Sequence, residues 1–140
     1  MNKLLTRSPL WRWMSLLGIF GLIGLLMIWE IWLAPSAANT SGLLVLPRSL
    51  VLLFMVVPLL FPLRGILHGR PYTHAWASFL ALFYFLHGVG EAWAGKETAY
   101  LGLLEVVFSS MLFIGAILYT RFRSREIKAE QLQFSGVRPD

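Results

Sequence analysis

Four long apolar runs separated by short polar breaks set the pattern of this chain. They cover about residues 13–33, 42–63, 72–93 and 99–119. Each is roughly 20 residues long, enough for a helix rising 1.5 Å per residue to cross a bilayer core of about 30 Å. None alternates polar with apolar positions as a membrane strand does. The pattern predicts an all-α integral membrane protein, a bundle of four transmembrane helices. A short N-terminal segment, 1–12, precedes this 13–122 domain, and a charged tail, 123–140, follows it. The tail is expected to start as helix and then to be disordered.

Aromatic residues mark the ends of the runs, as in interfacial belts. Trp11 and Trp13 face Trp29 and Trp32 across the first run, Trp76 and Trp93 bracket the third, and Tyr100 and Tyr119 the fourth. Gly18, Gly21 and Gly24 recur every three residues, a spacing that suits close approach of a neighbouring helix. Pro58, well inside the second run, predicts a kink; Pro47 and Pro62 lie nearer its ends. The break APSAANTS, 34–41, offers Ser36 and Ala38 as a signal-peptide cleavage site. The preceding apolar run is longer than the 7–15 residues usual for such a peptide, so it reads as an uncleaved anchor.

Composition agrees with a membrane class. Of 140 residues, 57% are hydrophobic and 14% charged, against about 25% charged in soluble domains; the mean hydropathy is +0.68. The absence of cysteine excludes disulfides, thiolate metal sites and thiol catalysis. The net charge of +5 is not a nucleic-acid signal, because the basic residues flank the apolar runs. Lys3, Arg7, Arg12, Arg64, Arg70, Arg121, Arg123, Arg125, Lys128 and Arg138 fall on one side of a four-span topology, and only Arg48 and Lys96 on the other. By the positive-inside rule both termini are cytoplasmic. Arg64, Arg70, Arg121, Arg123, Arg125 and Lys128 then form a cytoplasmic basic face, set against the anionic leaflet of the lipid bilayer.

Ionisable groups within spans are costly and point to a site. Arg48, His87 and Glu105 each fall about six residues from the outer end of their runs, roughly 9 Å deep. Glu91 is one turn above His87, Tyr84 one turn below it, and Glu30 lies shallower on the first run. One reading is a polar pocket in which Arg48 binds an anion and Glu91 or Glu105 orients or exchanges protons with His87, whose unperturbed pKa of about 6.5 suits that role. The other is a set of tolerated buried pairs, Arg48 with Glu105 or Glu30 and His87 with Glu91, that hold the bundle together. Two ligands on one helix face are too few to assign a metal. His74 and His87, 13 residues apart, stand roughly 20 Å apart along a helix, which disfavours a bis-histidine haem. No catalytic signature or cofactor motif is present.

The stretch PLLFPLRGILHGRPYTHAWASFLALFYFLHGVGEAW, followed by LLEVVFSSMLFIGAILYTRFR, resembles the bacterial inner-membrane proteins grouped as domain of unknown function 2069. The resemblance spans nearly the whole chain. It implies a multi-pass protein of the cytoplasmic membrane of Gram-negative bacteria, and it implies no reaction and no catalytic residues. The functional expectation is a non-enzymatic accessory or assembly protein acting through helix contacts with another membrane protein or by self-association. The alternatives are a small transporter or lipid-handling protein with a periplasm-facing pocket, and a lipid-modifying enzyme using the same polar groups.

Overall fold

A computed structural model describes residues 8–33, 48–94 and 97–136. Among these there are four helices and no strand: α1 (Ser8–Ile28, continued by a wider π-helical turn, Trp29–Leu33), α2 (Arg48–Leu67), α3 (Pro71–Ala94) and α4 (Ala99–Phe134). The 34–41 break with its candidate cleavage residues, Pro47, Lys3, Arg7, Lys96 and Arg138 lie outside the described residues. α1, α2 and α4 are each long and apolar enough to cross a membrane. α3 has the length, 24 residues, but His74, His87 and Glu91 dilute its apolar content.

The α2–α3 junction is tighter than the break between the apolar runs 42–63 and 72–93. α2 runs on to Leu67, so Arg64 and Gly65 fall in its last turn. Gly69 adopts φ +67°. Its N–H donates to the Ile66 carbonyl at 3.0 Å, and the Arg70 N–H donates to the Gly65 carbonyl at 3.0 Å. This is the Schellman closure, which favours glycine at its left-handed position. Pro71 then starts α3 where a missing N–H costs nothing.

α4 is the central element. It packs along both α3 and α1, while α2 leans more lightly on α1 and α3. Small residues let the backbones meet. A methyl group on Gly18 would lie 2.6 Å from the Leu112 nitrogen, and one on Gly115 2.8 Å from the Ser15 nitrogen. On the other flank, a methyl on Gly102 would lie 2.5 Å from the Ala92 nitrogen and one on Gly88 2.9 Å from the Gly102 carbonyl oxygen. Gly21 faces the Phe108 ring, whereas Gly24 faces open space, so the glycine repeat of α1 serves packing at two of its three positions. Ile19, Leu22, Leu59, Ile66, Ala81 and Leu112 fill the core. Phe54, Phe61, Phe79 and Trp93 point outward, where a bilayer solvates them.

Candidate functional site

The polar groups separate into two centres at opposite ends of the bundle. The first joins α3 to α4. Glu105, at 0% exposure, sits beneath His87, and both its carboxyl oxygens lie 3.0 Å from the His87 Nδ1. The His87 side chain is 28% exposed. Its ring meets Trp29, centroids 6.3 Å apart, so the π-helical turn of α1 closes over the pair. A carboxyl at this depth needs a partner, and His87 supplies it from the facing helix.

The sequence reading placed Tyr84, Glu91 and Glu30 around His87 and left Glu91 and Glu105 as its alternative carboxylate partners. The structure puts Glu105 on His87, across the helix interface. Glu91 stays half-buried one turn along α3. Tyr84 turns the other way, to α2, where its hydroxyl donates to the Met55 carbonyl. That carbonyl neighbours Phe54, whose own carbonyl lost its helical donor when Pro58 replaced an N–H. Glu30 lies in the π-helical turn, half-buried. Arg48 opens α2, but its side chain lies outside the described residues. Among the described residues no three His, Asp or Glu side chains gather as a metal set.

The second centre is the α2–α3 turn. Four carbonyls at a helix C-terminus lack intrahelical donors. The turn's own N–H groups serve Gly65 and Ile66, and α1 and α4 add two donors: the Arg12 guanidinium donates to the Leu67 carbonyl and the Tyr119 hydroxyl to the Gly69 carbonyl of the turn, the latter at 2.8 Å. Arg12 also brings positive charge to the negative end of the α2 dipole. Thr120 Oγ1 donates to the Pro71 carbonyl at 3.2 Å. Tyr119 stacks on buried His74, centroids 4.1 Å apart, and the His74 Nδ1 donates to the Arg70 carbonyl at 2.9 Å. Sequence reasoning missed these roles. It read Arg12 as an orientation charge and Tyr119 as a belt residue; a Tyr–Thr pair ending one apolar run opposite a Gly-rich turn was the signal available. Tyr119→Phe removes one tie and is expected to cost about 0.5–1.5 kcal/mol, measurable as a lower melting temperature in detergent.

The basic residues near this turn line two clefts that share His68. Arg64 and Arg70 flank the same cleft. Arg123 shares a second cleft, about 260 Å³, with Arg12 and His68, and it pairs with Glu126 at 2.8 Å. Arg121, Arg125 and Lys128 stand exposed along α4.

Comparison with known proteins gives a family and no nearer relative. Neither the curated proteins nor the solved structures contain a match to the chain. The model of one family, described as a predicted membrane protein, domain of unknown function 2069, matches residues 14–124, from α1 to the part of α4 just past Tyr119. With α2 and α3 wholly and α1 and α4 mostly inside that match, the chain belongs to the family of predicted membrane proteins known as domain of unknown function 2069.

Proposed function

We propose that this is a non-enzymatic bacterial inner-membrane protein with four spans and both termini cytoplasmic, which assists another membrane protein by docking one of that protein's helices. The observation that carries this reading is how the polar groups are used. Glu105 is consumed by His87 and Tyr84 by a backbone carbonyl, so they tie helices together. A groove between α3 and α4 has small residues, Ala81, Ser109 and Ser110, on its floor and Leu82, Phe85 and Phe113 on its walls. Small residues with walls of this kind suit close helix docking in lipid. A photoreactive residue at Phe85 is expected to form a discrete protein adduct in membranes, lost on Ser110→Leu. Lipid adducts alone would sink the reading, and a dimer of this chain would replace the partner with a second copy.

The competing reading, a transporter or lipid-handling protein with its pocket at His87, Glu91, Glu105 and Arg48, draws on the partial exposure of His87. It requires a small molecule that co-purifies and is lost on His87→Ala.

The topology is directly testable because the chain lacks cysteine. Single cysteines replacing the exposed His68, Glu97 and Ser135 report sidedness without background. With four spans, Glu97→Cys labels from the periplasm in intact cells, and the other two label only after permeabilisation. If α3 does not cross, positions 68 and 97 label together.

A further inference from the structure

Two clefts meet at the end of the α2–α3 pair. One, about 370 Å³, is lined by Phe61, Arg64, Gly65, His68, Arg70 and Thr73. The other, about 380 Å³, is lined by Phe61, Pro62, Tyr72, Thr73, Trp76 and Leu80. They share Phe61 and Thr73, so a cationic cleft opens into an apolar groove. Neither lining includes an acid. Gly65 lets Thr73 lie close against α2 at the junction, since a methyl group there would run into the Thr73 side chain. His68 is held in place by donation from its Nδ1 to the Arg64 carbonyl at 2.6 Å. From Thr73 to Leu80 the groove descends two helical turns, about 10 Å, beside a helix apolar enough to span.

Charge and shape together select the occupant. Two guanidiniums, free of acids in the cleft, suit a phosphodiester. Free phosphate satisfies the cleft and leaves the groove unused. An acyl chain fills the groove and leaves the cations unused. We propose that this junction binds one anionic phospholipid, its phosphate between Arg64 and Arg70 with the Thr73 hydroxyl at hand, its acyl chain along Phe61, Trp76 and Leu80. The site stands whichever way the bundle faces and whether or not the α3–α4 groove takes a partner.

The test is native mass spectrometry of the full chain released from nanodiscs made of phosphatidylglycerol or of phosphatidylcholine. One retained phosphatidylglycerol is expected, held at least tenfold more than phosphatidylcholine. Arg64→Gln with Arg70→Gln is expected to weaken retention about thirtyfold, at about 1 kcal/mol for each basic residue near an anionic surface. The exposed pair Arg121→Gln with Arg125→Gln, equal in charge lost, is expected to leave retention within about twofold. Trp76→Ala is expected to weaken retention without touching a charge. Equal retention of the two lipids by the unmodified protein overturns the proposal, and needs no variant to fold. So does equal loss in both arginine pairs, which would mean diffuse attraction. Displacement of phosphatidylglycerol by millimolar inorganic phosphate would also overturn it, as the mark of a simple phosphate site.

Discussion

His87→Ala is expected to destabilise the folded protein by about 1–3 kcal/mol, the penalty for leaving a buried polar group without its hydrogen-bond partner. The reason is Glu105. It has no exposure, and both its oxygens are placed on one imidazole nitrogen. Without that ring a carboxyl is stranded between helices, in surroundings with no water to replace the lost bond. Glu105→Ala should cost less, since His87 is partly exposed and can find other donors and acceptors. The double variant His87→Leu with Glu105→Leu should recover most of the loss, because apolar replacement of a whole buried pair is often neutral or better. Unfolding of the unmodified protein, the two alanine variants and their combination, His87→Ala with Glu105→Ala, in one detergent completes the cycle. Additive losses would show that the two residues act separately.

Gly102→Leu is expected to prevent the α3–α4 pair from forming, and even Gly102→Ala should cost about 1–3 kcal/mol, the range for overpacking. The atoms that a new methyl would meet are the Ala92 nitrogen, the Gly88 carbonyl oxygen at 2.7 Å and the Ala92 Cα at 3.0 Å. All are backbone, so no side chain can rotate away; the helices must part, and α3–α4 is the most extensive contact in the fold. Gly24→Ala is the matched control, having nothing within 4 Å. It should hold or raise the melting temperature, because alanine favours helix over glycine by about 1 kcal/mol. Equal melting of the two alanine variants would refute the packing argument.

The helices were legible in the chain because lipid demands long uniform apolar runs, but the break after residue 63 was drawn too long. The cause is local. Gly69 and Pro71 close a junction of three residues, so Arg64 and Gly65 stay helical; the tail starts as helix, as its charged sequence suggested, and holds it as far as Phe134. Which carboxylate meets His87 was left open between Glu91 and Glu105. Within one helix, Glu91 is the partner at i+4. Which residue faces His87 from another helix depends on the depth and rotation of α4, and Gly88 and Gly102 set these through backbone contact. The apolar pattern does not encode that choice. The same holds for Arg12 and Tyr119, whose acceptors are main-chain carbonyls about fifty residues away.

α4 has a consequence outside the bundle. Its 36 residues make a rod of about 54 Å, against a hydrocarbon core of about 30 Å. Roughly 24 Å of stiff helix therefore stands clear of the core, braced by the Arg123–Glu126 pair. Whatever is attached near Gln131 is held at a set height and compass bearing, and each residue inserted into the rod would raise it about 1.5 Å and swing it about 100°. The far end of α4 is thus a mast, not a tether.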